Sequence, residues 1–501
     1  MSAVSAELAE PTAPAVAPRR FGWAAASLIV ACLLLVLFPG DTQLRNDEQD
    51  LLFAAAQANL DGRLASVGLM GSTGVRYGPL PTQFYQLALL LTSDIRNVVL
   101  IRAFLFAVSM SAALWSIGRS LRLRPAFIGF FLAAPWVWYY VRTPWDNTFC
   151  LPLGCGLLAA YIRWMQRPTP LRAAACGALA AMMPLVHLAA VALPAAVTMH
   201  AALRRPRAVL RSLPVAALAA AIACSTSLPY LRSLPGRTVD SFTPWPDFDP
   251  AESLEIAAYA LRAPELLGAA ESYYQPHRPG WVRGVLHVTA AIGWATYVWF
   301  GAGILIALLQ HPNGDLTRAV AAVSLVALVL LGGVLSMADV TVQPHYFVGV
   351  YAPTVVLCWI GADAIWKNRL GRWLLVIAPI VAVIGTTLVI FALIHRNGGA
   401  ADRHFGHSIG TLMGVVDGLR GQRVPDLYTD SGELHLRGHT IAQLRWIDAR
   451  GRPPAGDGLA FTVELRRAFP EDHHLRVRPG PIDDADRVFR IDAWPDPVDP
   501  D

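Results

Sequence analysis

The chain has 501 residues, of which 54% are hydrophobic and 15% are charged, and its mean hydropathy is +0.43. This composition excludes a soluble globular enzyme and is typical of a polytopic membrane protein. The net charge of +5 does not indicate nucleic-acid binding, because the arginines collect in short loops between apolar runs, where orientation signals occur. The six cysteines lie in apolar runs without metal-ligand spacing, so no disulfide scaffold is predicted.

The N-terminal residues 1–20 are rich in Ala and Pro, end in Arg19-Arg20, and are predicted to be a disordered cytoplasmic tail. The apolar run 21–38 lacks a convincing cleavage site, so we interpret it as a retained first span and not as a signal peptide. Ten further runs approach the roughly 20 residues that a spanning helix needs. They are 97–118, 126–141, 147–164, 171–185, 186–202, 209–229, 284–309, 318–337, 346–366 and 373–394.

The segment 171–202 could be one long span or a tight hairpin broken near Pro184. With a hairpin, every basic loop of the chain falls on the side of Arg19-Arg20, whereas one span would break the positive-inside rule. We therefore predict about eleven spans in a bacterial inner membrane, with the N-terminus inside and the C-terminus outside. The basic loops are formed by Arg119, Arg122 and Arg124; by Arg163, Arg167 and Arg172; by Arg204, Arg205, Arg207 and Arg211; and by Lys367, Arg369 and Arg372.

This topology divides the chain into a transmembrane domain, residues 21–395, and a soluble periplasmic domain, residues 396–501. The transmembrane domain carries two larger outside loops, 41–96 and 230–283. In the C-terminal domain the hydrophobic pattern predicts a small α/β fold. Its predicted elements are a helix over 407–419 and strands over 424–428, 460–465 and 488–494.

The first outside loop opens with an acidic helix start. Asn46 is a good N-cap with Gln49 three residues later, as in a capping box, and Asp61-Gly62 marks the helix end. The i+4 spacing of the apolar residues predicts a surface helix whose inner face carries Leu52, Ala56, Leu60 and Leu64. Its acids are Asp47, Glu48 and Asp50, a placement that the helix dipole alone would also explain.

Further polar groups stand at the predicted outside ends of spans. Ionisable groups near a bilayer are costly unless they are paired or functional, and snorkelling or orientation is the alternative, above all for Arg142. His187, near the tip of the hairpin, is interpreted as a polar contact between helices. The other groups are Arg76-Tyr77 before the Gly78-Pro79-Leu80 turn, Arg142 and Asp146-Asn147 around Pro144-Trp145, and His345-Tyr346 at the tenth span.

The sequence contains no P-loop, no dinucleotide-binding glycine fingerprint and no HExxH motif. Chemistry at an outer membrane face, where nucleotides are scarce, needs an activated donor that arrives by another route. A lipid phosphate held in the bilayer meets that need.

Four short motifs together resemble the GT-C superfamily, the membrane glycosyltransferases that use polyprenyl-phosphate sugars. The resemblance covers roughly the first 360 residues and is greatest to the branch of protein mannosyltransferases and aminoarabinose lipid A transferases. The motifs are Asn46-Asp47-Glu48, Arg76-Tyr77-Gly78-Pro79-Leu80, Pro144-Trp145-Asp146-Asn147 and His345-Tyr346.

The resemblance implies that an acceptor hydroxyl or amine attacks the anomeric carbon of the sugar and inverts it. It makes Asp47 the general base and places Glu48 beside it among the catalytic residues, where Glu48 would bind acceptor or sugar hydroxyls. Arg76, Arg142 and His345 are implied to bind the donor phosphate. Hydroxyl groups of the substrates are implied to be bound by Tyr77, Asp146, Asn147 and Tyr346. No obligatory cofactor is implied, and a divalent cation near the acids, which some relatives use, is left open.

Three other functions compete with this interpretation. A transporter or flippase of lipid-linked sugars would place charges at mid-membrane, whereas the polar groups here cluster at outside ends. A non-catalytic export or assembly protein would keep the topology without needing Asp47. An O-antigen-ligase-like enzyme would place basic residues in a late outside loop, and Arg278 and Arg283 in the loop 230–283 leave this open. The sugar, and whether the acceptor is a glycan, a lipid or a protein, are not specified by the sequence.

Overall fold

The structure is a computed structural model, and almost all of the residues it describes are helical. It describes residues 21–44, 46–71, 76–233, 250–253, 295–309, 314–337, 344–397, 408–418, 427–428, 441, 443–450, 475–479 and 489–493. The helices are α1 (Phe21–Val36), α2 (Asn46–Leu60), α3 (Leu80–Leu91), α4 (Ile95–Leu121), α5 (Ala126–Ala133), α6 (Pro135–Arg142), α7 (Cys150–Gln166), α8 (Pro170–Val186), α9 (Ala192–Arg204), α10 (Pro206–Ala223), α11 (Leu228–Ser233), α12 (Ala295–Leu309), α13 (Gly314–Ser336), α14 (Tyr351–Ile365), α15 (Ala378–Asn397) and α16 (Ile409–Gly418).

Five of the described helical stretches are long and apolar enough to cross a membrane, so the chain is a multi-pass membrane protein. The number of about eleven spans stays a prediction. One predicted span, 126–141, is divided into α5 and α6 because the residue before Pro135 is forced into an extended conformation. The five stretches are Ile95–Leu121, Asn147–Gln166, Pro206–Ala223, Asp315–Ser336 and Arg369–Val389.

The segment 171–202 is a hairpin, and its break lies at His187, three residues after Pro184. Gly154 and Gly156 of α7 lie against Met183 and Leu179 of α8, so these two helices are antiparallel. Helix α9 runs the other way from α8, because Gly154 also approaches Leu193 and Tyr161 hydrogen-bonds His200.

The basic loops gather at one end of the bundle, which we call the basic end. Arg124 forms an ion pair with Asp363 at 2.8 Å, which joins the loop after α4 to the loop after α14. The hydroxyl of Ser120 lies 3.4 Å from the Gln166 side chain, and Trp164 donates to Ser212 at 3.3 Å. These contacts bring the remaining loops, after α7 and after α9, to the same end. Which side of the membrane this end faces stays a prediction.

The opposite end, which we call the site end, is where the surface helix α2 lies. Its buried face carries Leu51, Leu52, Ala55 and Ala58. The predicted face was therefore wrong in part, since Leu60 and Leu64 are 51% and 53% exposed. The helix ends at Leu60, as predicted, and Gly62 has a φ of +62°, so Leu64 is not in register with the helix.

A second hydrophobic core lies under α2, separate from the core of the helix bundle. It joins α2, α3 and the start of α4 to α16 and to the helical residues 443–448, which we call the C-terminal helix. Its members include Leu51, Leu52, Ala55, Tyr85, Leu89, Ile95, Val98, Val99, Ile409, Leu412, Met413, Val416, Leu444 and Ile447. The C-terminal part of the chain is thus packed on the first outside loop.

The remaining C-terminal elements form a small sheet of three strands, β1 (Leu427–Tyr428), β2 (Leu475–Pro479) and β3 (Phe489–Ala493), in the order β1-β3-β2. β1 and β3 are parallel and β2 and β3 are antiparallel. Helix α16 and two of the predicted strands are confirmed, while β2 was not predicted. The predicted strand 460–465 and the loop 230–283, except 230–233 and 250–253, lie outside the described residues, and the domain bounds stay predictions.

Candidate active site at the end of the helix bundle

The acids of the first turn of α2 point to different sides because successive residues of a helix are separated by a large rotation. Glu48 is 3% exposed, since it lies one turn before the buried Leu51 and Leu52. Asp47 and Asp50, three residues apart, are neighbours on the exposed side. Partial desolvation raises the pKa of Asp47, the negative charge of Asp50 raises it further, and a hydrogen bond from Trp145 opposes the shift. Asp47 is therefore a surface carboxylate that binds a proton more readily than a free one.

The turn between α6 and α7 brings a second carboxylate to the same place. Asp146 is 2% exposed, and its Oδ1 accepts a hydrogen bond of 2.6 Å from the backbone N–H of Asn147. Its Oδ2 and the Oδ1 of Asn147 are buried with no hydrogen-bond partner among the described residues. Burial raises the pKa of Asp146 to about 7, and the charges of Asp47 and Glu48 contribute in the same direction. The turn thus offers two unused acceptor oxygens beside Asp47.

Arg102 holds this turn, and sequence reasoning missed it. The side chain is 0% exposed in α4 and donates to the carbonyl oxygens of Val141 and Tyr140 and to Oγ1 of Thr148. Thr148 in turn donates to the carbonyl of Trp145 at 2.6 Å. The sequence does carry a signal for Arg102, which is its position inside the apolar run 97–118. A charged residue there is energetically costly unless it has fixed partners.

A continuous chain of aromatic and histidine rings lines the site. Tyr77 lies 5.0 Å from His187, and His187 lies 5.8 Å from Tyr346, as ring-centroid distances. Tyr346 is 4.3 Å from His345, which is 4.5 Å from Trp145, the residue that donates to Asp47. The rings therefore connect the Gly78 turn with the catalytic candidates. His187 contacts two predicted site residues, Tyr77 and Tyr346, and its role as a polar contact between helices stays a prediction.

His345 is a neutral imidazole at physiological pH. Burial lowers the pKa of His345 to about 3, and the neighbouring His187 contributes to the shift. A neutral ring can donate one N–H to a phosphate oxygen but cannot supply positive charge. His345 could therefore meet a phosphate oxygen only as a hydrogen-bond donor, and its role in phosphate binding stays a prediction.

The Arg76-Tyr77-Gly78 motif forms a pinned turn. Gly78 donates its N–H to the carbonyl of Leu185 at 2.7 Å, and a Cβ at position 78 would lie 2.5 Å from that oxygen. The carbonyl of Arg76 accepts from the Tyr230 hydroxyl at 2.8 Å. The half-buried Arg76 guanidinium makes a single long contact, 3.5 Å to the carbonyl of Gly68, among the described residues. The backbone of Arg76 is therefore held by Tyr230, while its guanidinium makes only this one long hydrogen bond among the described residues.

Arg142 is not brought into this group. Its guanidinium is buried and donates to the carbonyl oxygens of Leu34, Leu37 and Phe38 at the end of α1. It also lies over the rings of Trp138 and Phe391, at 4.9 and 5.7 Å. The expected role in phosphate binding does not follow from this position, because both terminal nitrogens of the guanidinium are directed at backbone carbonyls and its Nε is buried without a hydrogen-bond partner among the described residues.

The other predicted site residues are close enough to act on one another electrostatically. The negative charges of Asp146 and Asp47 raise the pKa of Tyr77, after a larger effect of burial, and Tyr346 contributes to the same shift. Among the described residues no three His, Cys, Asp or Glu side chains are grouped closely enough to hold a metal ion, so no metal is assigned to the site.

No protein-family model matches the chain, and no curated protein matches it. Two structures of ArnT from Cupriavidus metallidurans are similar in fold. The structure bound to undecaprenyl phosphate has a TM-score of 0.47 and 15% sequence identity, covering 90% of this chain and 78% of that chain. The apo structure has a TM-score of 0.49 and 13% identity, covering 91% and 96%.

Proposed function

We propose that this protein is a GT-C-type glycosyltransferase of the bacterial inner membrane, which moves a sugar from polyprenyl phosphate to an acceptor at the outer face. The observation that carries the proposal is the pairing of an exposed carboxylate, Asp47, with the buried Asp146 turn, at the bundle end that lies opposite the basic loops. Basic loops mark the cytoplasmic side by the positive-inside rule, which assigns the site end to the outside.

The reaction is a single displacement. The oxygen or nitrogen of the acceptor attacks the anomeric carbon and gives its proton to the carboxylate of Asp47. The bond between the anomeric carbon and the phosphate oxygen breaks with its electron pair on oxygen, so polyprenyl phosphate leaves and the anomeric centre inverts. The raised pKa of Asp47 suits this role, because a base whose pKa lies nearer the working pH accepts a proton with more driving force.

The neighbouring residues bind and orient the substrates. The unused oxygens of Asp146 and Asn147 accept hydrogen bonds from sugar or acceptor hydroxyls, and the rings of Tyr77 and Tyr346 pack against the sugar. Glu48, on the buried side of α2, acts on Asp146 through its charge.

The phosphate of the donor is held by a cation and by a neutral hydrogen-bond donor. Arg76 supplies the positive charge, because its guanidinium makes only one long hydrogen bond to the protein among the described residues, whereas that of Arg142 makes three. His345 supplies one N–H. Arg142 is not part of the proposed site, since its donors serve α1.

The test is transfer by purified full-length protein from a panel of undecaprenyl-phosphate-linked sugars. Asp47→Asn should lower transfer at least roughly a hundredfold, the low end for general-base catalysis, and Glu48→Gln should lower it less. Asp61→Asn, an exposed acid at the other end of α2, is the matched control and should leave transfer unchanged. Thermal unfolding and binding of undecaprenyl phosphate show whether each variant is folded.

A well-folded Asp47→Asn protein that keeps most of its activity would refute the catalytic assignment. Lipid analysis of a deletion strain addresses the competing assembly role. Loss of the enzyme should leave a polyprenyl-phosphate sugar accumulated and a sugar missing from a glycan, lipid or protein. An unchanged lipid profile, with no transfer by the wild type, would favour a non-catalytic assembly protein.

A further inference from the structure

The C-terminal helix touches the catalytic turn of α2 directly. Gln443 donates a hydrogen bond of 3.2 Å from its side-chain amide to Oδ1 of Asp50. The rings of Phe53 and Trp446 lie 4.8 Å apart. Phe53 follows Asp50 by three residues, and Trp446 follows Gln443 by three residues. One face of the C-terminal helix therefore lies along one face of α2.

Helix α16 fixes the other side of the same turn. The N–H of Ile409 donates to the carbonyl of Thr42 at 2.8 Å, just before α2 begins. Gly410 lies so close to Gly40 that a Cβ on Gly410 would be 3.2 Å from the Gly40 carbonyl oxygen. The acidic turn is therefore held between two C-terminal helices, and the second core lies beneath it.

Asp50 links this contact to the proposed base, Asp47, because it interacts with both Gln443 and Asp47. Asp47 and Asp50 lie one turn apart on the exposed side of α2, and their like charges act on each other. Gln443 is only 8% exposed and stands next to Leu444 of the second core, so its side chain has little room to move with Asp50. The hydrogen bond therefore joins the Asp50 carboxylate to the C-terminal helix.

We propose that Gln443 is a positioning residue of the active site, which holds the first turn of α2 through Asp50 and so fixes the direction of the Asp47 carboxylate. This inference rests on the proposed function. The C-terminal segment then completes the catalytic site without contacting the substrates.

The test compares two substitutions of similar length at position 443 in the full-length protein. Gln443→Met removes the donor and keeps the apolar contacts, whereas Gln443→Lys keeps a donor for Asp50. With the undecaprenyl-phosphate sugar that the wild type uses, Gln443→Met should lower kcat by roughly tenfold to a hundredfold, the effect of losing a hydrogen bond to a charged group. KM and the thermal midpoint should change little, and Gln443→Lys should restore most of kcat.

A second measurement does not depend on activity. Hydrogen exchange of the backbone amides 50–54, whose helical bonds close the first turn of α2, should be about tenfold faster in Gln443→Met than in the wild type. Arg63→Ala, which breaks an exposed ion pair beyond the other end of α2, is the matched control and should alter neither kcat nor this exchange.

Three results would overturn the positioning role: unchanged exchange in Gln443→Met, faster exchange with unchanged kcat, or a Gln443→Lys protein as impaired as Gln443→Met. If the wild type transfers no sugar from any donor, the proposed function fails. The exchange experiment then still decides whether Gln443 holds the acidic turn.

Discussion

The guanidinium of Arg142 donates a hydrogen bond of 2.6 Å to the carbonyl oxygen of Leu37, one residue beyond the end of α1. The last carbonyls of a helix have no partners within the helix, and leaving them unsatisfied when buried is costly. Arg142 also donates to the carbonyls of Leu34 and Phe38, which accept further hydrogen bonds from Trp138 and Asp41, so one side chain ties α6 to three carbonyls at the end of α1. A residue that looks from the sequence like a phosphate ligand or an orientation charge thus stabilises the junction of α1 and α6.

Arg142→Ala should therefore destabilise the protein more than it weakens donor binding. The expected loss is about 1.5–3 kcal/mol, the value for a hydrogen bond to a charged group. Thermal unfolding in detergent measures it, with Arg167→Ala at the exposed basic end as the control. A folded Arg142→Ala protein of normal stability with much weaker binding of undecaprenyl phosphate would return Arg142 to the phosphate site.

Arg76→Ala should weaken the binding of undecaprenyl phosphate by roughly tenfold to a hundredfold, because a charged hydrogen bond to phosphate is lost. Arg76→Lys should recover part of the affinity, since a lysine keeps the charge without the planar fork. Arg63→Ala, an exposed arginine of the same loop, serves as the control. Equal affinity of Arg76→Ala and wild type for the lipid phosphate would exclude Arg76 from the site.

Asp146→Asn should stabilise the protein in a pH-dependent manner. The folded-state pKa of Asp146 is raised from 3.8 to about 7, so between these values the folded protein holds a proton that the unfolded chain releases. Stability of the wild type therefore falls as the pH rises through this window, by up to about 1.4 kcal/mol per unit.

The increase in the free energy of unfolding caused by Asp146→Asn should be small near pH 4. It should reach its full size above about pH 7, where Asp146 of the wild type is ionised in both the folded and the unfolded state. Unfolding midpoints across this pH range measure the increase, and Asp61→Asn is the control for removing a carboxylate elsewhere. A stability difference independent of pH would show that Asp146 is not a carboxyl with a raised pKa.

The proposed orientation can be tested by labelling single cysteines in a background without native cysteines. A cysteine near Gly62 should react with an impermeant reagent added from outside, whereas cysteines near Arg205 or Asn368 at the basic end should not. Strong outside labelling near Arg205 would reverse the assignment of the two bundle ends.

The features that local sequence determines were predictable. The N-cap and the acidic turn predicted where α2 begins, Asp61-Gly62 predicted where it ends, and charge balance predicted the hairpin over 171–202. The Gly78 turn was recognised by its motif, and the structure supplies the reason, which is the close approach of Leu185.

The features that distant partners determine were not predictable. Arg102 acts on residues 39 and 46 positions later, and its apolar neighbours do not reveal them. Arg142 stands four residues before Asp146 in the sequence, but α6 ends between them and its side chain turns towards α1. The buried face of α2 was misjudged because its packing partners come in part from the C-terminal segment.

The contact between Asp50 and Gln443 spans 393 residues of sequence, which has a consequence for biosynthesis. A ribosome makes the acidic turn early and its C-terminal supports late, so every span must be inserted before the turn can be fully held. Chains fold progressively as they emerge, and contacts of such long range form last. On the proposed function, a nascent chain that has not yet reached Gln443 would carry Asp47 on a loosely held turn, and sugar transfer would begin only after the C-terminal helix has been made.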